Sequence, residues 1–446
     1  MIASISITQG KFMRRTKLVL LTATALVLAA SATGASAADA VTEAPIVATG
    51  PSWTGFYIGI HGGAASTTLD YDLLPVFAGD DTTSYRFAEQ EFAYGVHGGF
   101  DYQFAPRWVA GVELDYTHIS ADYEPFSAGG LGTLASIEHA FSASGRLGYL
   151  VTPQTLAYGK VGYAGIRVEA EEGFDGTASD TLGALAVGGG IETFLWGNLT
   201  GRVDATYFSA QDELETTDLE AFEPKTLLVT AGLSYRFGAQ ANAREVTPAA
   251  ETSFNGFYLG VAGGIGSAQL DRDIDVPGAT VDSFGDESGI ANGFIGYDLR
   301  FGNVVAGVEG EYSYLKATFD DPDLNSFFTG ATDEFAKLDG IWAVSGRLGY
   351  VVTPSTLVYA KAGYAGFMIE SNGDFFAADG DDDKDLLNGY QVGAGVETAL
   401  SEHVSLRVEG LYAEAVDQIT IDNSQFDQVT IEPRVVSGKV GLAIRF

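Results

Sequence analysis

Hydrophobic and polar residues alternate along much of this chain with a period of two. In the final segment, Val436, Val440, Leu442, Ile444 and Phe446 fall on one side, and Ser437, Lys439, Gly441, Ala443 and Arg445 on the other. That is the spacing of a strand whose two faces meet different surroundings. Eight strand-like segments are read in the first half, at about 54 to 65, 91 to 104, 108 to 122, 137 to 151, 155 to 169, 182 to 195, 199 to 211 and 225 to 237. The connections after the second, fourth and sixth are tight, at Ala105-Pro106-Arg107, Thr152-Pro153-Gln154 and Trp196-Gly197-Asn198. The others are long and polar. Sorting of this kind predicts an all-β fold, a transmembrane antiparallel up-and-down β-barrel with short periplasmic turns and longer outside loops. Segments of ten or more residues suit a tilted bilayer crossing of about 9 to 11 residues. Phe56, Tyr57, Tyr102, Trp108, Tyr149, Tyr207 and Tyr235 near the segment ends suit interfacial girdles. In hydrocarbon a sheet survives only if it closes on itself, and eight strands can close.

The pattern occurs twice. Ser144 to Gly165 returns as Ser345 to Gly366 with 17 of 22 positions identical, and Gly55-Phe-Tyr-Ile-Gly59 returns as Gly256-Phe-Tyr-Leu-Gly260. Short turns recur at Phe301-Gly302-Asn303, Thr353-Pro354-Ser355 and Ser401-Glu402-His403. The expected organisation is an export signal over 1–37, an N-terminal linker over 38–51, one barrel repeat over 52–238, a linker over 239–253 and a second repeat over 254–446. Two tandem eight-stranded barrels are expected, with one fused 16-stranded barrel as the alternative. The polar linker is longer than an ordinary periplasmic turn, and each copy starts and finishes on the periplasmic side, which favours two barrels.

The export signal rests on Lys11, Arg14, Arg15 and Lys17 before the apolar run Leu18 to Ala30, with Ala35-Ser36-Ala37 after it. About 13 apolar residues fall short of the roughly 20 that span a bilayer as a helix. Met13 is an alternative initiator. Lys and Arg number 24 against 59 Asp and Glu, for a net charge of -35. Removing four basic and no acidic residues with the signal leaves 20 against 59, or -39. A nucleic-acid partner is excluded by this balance. The absence of cysteine excludes disulfides, thiolate metal sites and a cysteine nucleophile.

The Gly-Phe-Tyr-x-Gly opening, the Gly-Arg-Leu-Gly-Tyr-x-Val-Thr-Pro-x-Thr-Leu core and the terminal Arg-Phe resemble the porin-like outer-membrane β-barrel family of Gram-negative bacteria. The resemblance covers both copies. It implies an abundant envelope protein in the outer membrane, one eight-stranded barrel per copy. It also implies that Phe446 is the signal read by the barrel-assembly machinery. Doubling leaves the corresponding Phe237 at an internal position.

Taking the side without Leu, Ile and Val as the inward face assigns Asp101, Glu113, Asp115, Arg146, Lys160, Glu192, Arg202, Asp204 and Arg236 to the first bore. The matching positions of the second are Asp298, Glu309, Glu311, Arg347, Lys361, Glu397, Arg407, Glu409 and Arg445, with the sign kept at each. An eight-stranded bore is only wide enough for side chains, so this set is read as an ionic plug. A selectivity ring in a conducting pore is the competing reading. Gly148, Gly190 and Gly393 on the same face suggest space for water. Acidic runs at Glu169 to Glu172, Asp212 to Glu223, Asp271 to Asp275, Asp320 to Asp323 and Asp379 to Asp385 fall on the outside connections and suggest a solvated rim, with divalent-cation bridging to lipopolysaccharide as the sharper reading. The last run lacks the glycine and closing glutamate of a calcium loop.

Two other constellations exist. His61 and His97 share the first interior, with Ala262 opposite His61 in the second copy. Haem binding, which the resemblance implies for some members, would draw on that pair. His118 and Ser120, with Glu113 or Asp115 nearby, resemble the pair of membrane-embedded lipid A deacylases, but they fall on the lipid-facing parity. The expected function is therefore non-catalytic and without a cofactor: an outer-membrane barrel protein contributing to envelope integrity and surface charge. A porin for small solutes and a surface binding protein or adhesin are the alternatives. Expected partners are outer-membrane lipid and lipopolysaccharide, the barrel-assembly machinery with periplasmic chaperones, and divalent cations.

Overall fold

The computed structural model describes residues 48–73, 83–124, 133–172, 176–215, 220–240, 244–246, 250, 252–274, 282–321, 334–371, 383–421 and 429–446. The export signal, most of the N-terminal linker and parts of the acidic runs lie outside the described residues. Strands β1 (Gly55–Leu73), β2 (Thr83–Gln103), β3 (Trp108–Tyr123), β4 (Ala135–Thr152), β5 (Thr155–Glu172), β6 (Gly176–Trp196), β7 (Leu199–Ala210) and β8 (Glu220–Arg236) form the first copy. The second copy is β9 (Gly256–Ile274), β10 (Asp282–Phe301), β11 (Val304–Asp320), β12 (Glu334–Thr353), β13 (Thr356–Ser371), β14 (Asp383–Ala399), β15 (Val404–Ala415) and β16 (Val429–Arg445).

Each strand pairs antiparallel with the next, and each copy closes on itself. β8 returns to β1 from Glu220 opposite Leu73 to Arg236 opposite Tyr57. Likewise β16 returns to β9 from Val429 opposite Ile274 to Arg445 opposite Tyr258. The chain is therefore two eight-stranded barrels, and the fused 16-stranded alternative falls. Gly197 and Gly302 take positive φ of 56° and 64° in two of the short turns, a left-handed conformation that glycine adopts without strain. Within the linker, Arg244–Val246 pairs antiparallel with Ala48–Gly50, so part of that stretch is strand.

The strands run further than their apolar alternation suggests, because the alternation inverts. Near the short turns Val112, Leu114, Leu147 and Val161 point outward and are exposed, while Glu113 and Arg146 point inward and are buried. Towards the long loops, Ile119, Ile137, Ile166 and Val168 are fully buried in the bore while Ser120, Asp122, Glu138 and Glu169 face out. A strand passing from lipid into water must reverse which face is apolar. This overturns the rule that the inward side lacks Leu, Ile and Val, which holds only around the ionic residues of mid-bore, since Val109, Leu150 and Leu156 are also buried inward at the short-turn end. It also places Glu169 to Glu172 in β5 and Glu220 to Glu223 in β8 rather than in loops. Exposed Phe92, Tyr94, Tyr116, Phe141 and Tyr163 mark the boundary. Near it, an extra residue at Glu138 in β4 and at Asp339 in β12 shifts the register, which keeps Ile137 and Leu338 inside.

The two barrels pack side by side through matched positions. Ser66 Oγ donates to Ser267 Oγ at 2.8 Å, the Thr155 and Thr356 hydroxyls lie 3.0 Å apart, and the Phe87 and Phe284 rings are 5.9 Å apart. Self-matching contacts of this kind are the signature of an isologous interface. Outward-facing Val203 and Val229 of the first barrel and Val408 and Val436 of the second are buried in this seam. Their apolar face touches the other barrel rather than lipid. A Cβ built on Gly438 would lie 2.6 Å from Ala205 Cβ, so a missing side chain on one barrel admits a methyl from the other.

Candidate functional site in the bores

Each bore is filled in three layers. At the short-turn end Trp53, just before β1, and Phe254, just before β9, are both wholly buried across the mouth. Trp53 Nε1 donates to the Pro153 carbonyl at 3.1 Å, and the Arg236 guanidinium lies 4.4 Å from its ring centroid. Phe254 holds a φ of 45°, sparsely populated for a bulky side chain. Neither stopper is visible in the alternation, since both precede the first strand of their copy.

The middle layer is ionic. All eighteen predicted positions face the bores; seventeen are buried and Asp115 is half-buried. In the first barrel Arg202 grips Glu113 with two bonds of 2.7 and 3.1 Å and also holds Asp204, Nε to Oδ2 at 2.7 Å. Arg236 donates to both oxygens of Glu192 at 2.9 and 3.0 Å and to Asp101 at 2.7 Å. Arg146 joins Asp101 at 2.8 Å to Glu192 at 3.2 Å, and Lys160 lies 3.4 Å from Glu113. Tyr57 and Tyr158 donate their hydroxyls to Glu113 and Asp204 at 2.9 and 2.7 Å. Fork-to-carboxylate bonding of this kind is what lets so many charges sit out of water together.

In the second barrel Arg347 pairs with Glu397 and Asp298, and Arg445 reaches the same two acids at 3.2 and 2.9 Å. Arg407 donates to Glu309 at 2.6 Å. Lys361 is ringed by Glu309, Glu311 and Glu409 at 3.0, 2.6 and 3.2 Å. Here a tenth charge enters. Lys439, buried and pointing inward from β16, donates to Glu311 at 2.7 Å. The nine matched positions of each bore, five acids and four bases, sum to -1; Lys439 brings the second to five bases against five acids. Lys439 was legible on the charged parity of the last strand, but its counterpart Thr230 carries no charge, so matching the two copies passes over it.

The third layer, towards the long loops, is dominated by apolar side chains, with one buried ion cluster in the second bore, where Arg272 pairs with Asp282 and Asp321 beside Phe284 and Phe335. Leu69, Ile119, Ile137, Ile166 and Leu182 fill the first bore, and Leu270, Leu315, Phe335, Leu338 and Phe367 the second. The glycines expected to leave space do not. A Cβ at Gly148 would meet Leu156 Cδ1 at 2.6 Å, one at Gly190 would meet Asp204, and one at Gly393 would meet Leu411.

His61 and His97 do meet inside the first barrel, with their Nδ1 atoms 3.3 Å apart and Asp115 3.6 Å from His61. Ser120 Oγ lies 3.1 Å from His118 Nε2, but on the outward exposed face, while Glu113 and Asp115 face the bore on the far side of the strand. The acids that would orient that pair are therefore out of reach. Phe446 is exposed, its backbone N–H bonded to the Phe257 carbonyl, as Phe237 is to the Phe56 carbonyl.

The chain is similar to known outer membrane proteins. The chain is 30% identical over 196 residues to the 22 kDa outer membrane protein of Rhizobium leguminosarum bv. viciae, covering 44% of this chain and 79% of that one. It is 28% identical to the 25 kDa outer-membrane immunogenic protein of Brucella ovis, covering 50% of this chain and 100% of that one. Among solved structures, Neisserial surface protein A matches with 16% identity and a TM-score of 0.26, over 43% of this chain and 97% of that one. The family model described as the outer membrane protein beta-barrel domain matches residues 23–237 and again 243–435. The chain thus belongs to the outer membrane protein β-barrel family of Gram-negative bacteria, resides in the outer membrane and carries the family's domain twice.

Proposed function

We propose that this protein is a non-conducting, non-catalytic structural component of the outer membrane, contributing to envelope integrity and giving the cell surface an acidic rim. The observation that carries this reading is the filling of both bores along their length: an aromatic stopper, a cross-linked ionic layer, then an apolar layer. Water-filled passage needs a continuous polar path, and the apolar layer interrupts it. Outward-facing acids beyond the aromatic boundary, such as Asp122, Glu138 and Glu169, favour a rim that divalent cations bridge to lipopolysaccharide phosphates. Insertion is assigned to the barrel-assembly machinery reading Phe446, with periplasmic chaperones escorting the chain.

Planar-bilayer recording tests the central claim. The wild-type protein is expected to give no sustained openings, and a strain lacking it is expected to become more sensitive to detergent. Steady wild-type conductance that changes when Arg146 or Arg347 is reversed to Glu would overturn the reading.

A further inference from the structure

Within the ionic middle layer the two bores differ by one positive charge, and that difference falls at a single place. In the second barrel Glu311 faces Lys439. In the first, the equivalent acid is Asp115 and the position of Lys439 is held by Thr230. Among the described residues no lysine or arginine pairs with Asp115, and its ion-pair contact is His61. Where the second barrel has Ala262 and Phe294, the first has His61 and His97.

The two imidazoles and this carboxylate converge. One atom from each of His61, His97 and Asp115 lies within 4.8 Å of the other two, with His61 Nδ1 at 3.3 Å from His97 Nδ1 and 3.6 Å from Asp115 Oδ2. Ligands about 2.0–2.2 Å from a tetrahedral zinc ion are separated from one another by about 3.3–3.5 Å. The remaining polar atoms are held from behind. His61 Nε2 is 3.0 Å from Thr117 Oγ1, which donates to Asp115 Oδ1 at 2.8 Å, and His97 Nε2 is 2.7 Å from Ser234 Oγ. With each Nε2–H donated to its hydroxyl, both Nδ1 lone pairs and Asp115 Oδ2 face one another, an arrangement that needs a cation between them. Outer hydrogen bonds that fix the ring tautomer are the usual support of a histidine metal site. Glycines make room for the rings: a Cβ on Gly95 would sit 2.6 Å from His61 Nε2, and one on Gly59 would strike His97. Asp115 retains 11% side-chain exposure against 3% for Glu311, which leaves this acid an open side.

We propose that His61 Nδ1, His97 Nδ1 and Asp115 Oδ2 bind one divalent first-row transition ion of the zinc class, placing a cation beside Asp115 as Lys439 places one beside Glu311 in the second bore. The alternative that the geometry allows is a proton shared between the two rings.

The test uses the full chain folded in detergent micelles, stripped with a chelator and titrated with Zn2+ alone. One Zn2+ per chain is expected, with affinity reduced at least about 100-fold in His61→Ala and His97→Phe, the latter importing the second barrel's residue. Thr230→Lys, which imports the ammonium, is expected to abolish binding while unheated gel mobility still reports a folded barrel. Ser234→Ala, losing only the outer hydrogen bond, is expected to weaken binding about 10-fold to 100-fold. Co2+ substituted for Zn2+ should give a visible tetrahedral band that His97→Phe removes. Failure of the stripped chain to bind Zn2+, or an affinity that His61→Ala and His97→Phe leave unchanged, overturns the proposal and leaves the shared proton. None of these outcomes depends on whether the bores conduct.

Discussion

The two barrels share a strand count, a register, a stopper and nine charged positions, yet they neutralise their ionic layers differently. In the second, Lys361 and Lys439 both reach Glu311, and five bases balance five acids. In the first, four bases face five acids, and the unmatched acid lies beside an imidazole pair. Charge pairs in a narrow tube can be exchanged position by position as long as each carboxylate keeps some cation within reach. The comparison therefore separates what the architecture requires, a satisfied ionic layer, from what one copy has been free to change.

The sharpest way to break the comparison is Arg347→Ala. It removes one of the two guanidiniums that hold Glu397 and Asp298 in a dry bore and leaves Arg445 alone facing both acids, the Arg347 side chain itself being wholly unexposed. Removing one partner of a buried ion pair costs about 3–5 kcal/mol, so urea unfolding in lipid vesicles should show the largest loss of this set; a change under 1 kcal/mol would mean that water reaches the layer. Next comes Lys439→Thr, which gives the second barrel the first one's deficit. Because Lys361 and Gln391 still hold Glu311, both at 2.6 Å, the expected loss is smaller, about 1.5–3 kcal/mol by the same measurement.

Gly438→Leu acts on the seam instead of the bores. A side chain there collides with Ala205, and overpacking of this kind costs about 1–3 kcal/mol. Limited proteolysis of the linker should speed up, while spectroscopic strand content stays constant; unchanged cleavage would argue that the barrels touch too loosely for the seam to matter. Arg86→Ala sharpens the lower limit. Its guanidinium bridges Asp70 at 2.7 Å and Asp286 of the other barrel at 3.4 Å, yet its side chain is 45% exposed. Screened by water, that pair is expected to be worth no more than about 1 kcal/mol, with little change in the unfolding midpoint.

Near the short turns the fold could be read residue by residue, because lipid outside and ions inside impose opposite demands on neighbouring positions. Glu113 and Leu114 differ by one place in the chain and by one face of the sheet. The reading stopped short of Leu69 and Phe222 because both the solvent and the filling change there, and apolar residues on the inward parity look like a broken pattern unless the inversion is anticipated. The extra residue at Glu138 adds to the difficulty, since a bulge is a register relation between strands and leaves no period of its own. Trp53 and Phe254 sit before the alternation begins, so nothing periodic marks them.

The amino-acid sequence by itself determined that two copies of an eight-stranded, lipid-facing unit follow one another, and which charges share a face, because alternation and repetition are properties of single strands read along the chain. Tertiary structure decided the rest: that each copy closes on itself, that valines on β7, β8, β15 and β16 meet the other barrel instead of lipid, and that His61, His97 and Asp115 from three strands point at one spot. Those outcomes depend on strand tilt and register, which bring together residues up to hundreds of positions apart and are fixed only when the sheet curls shut.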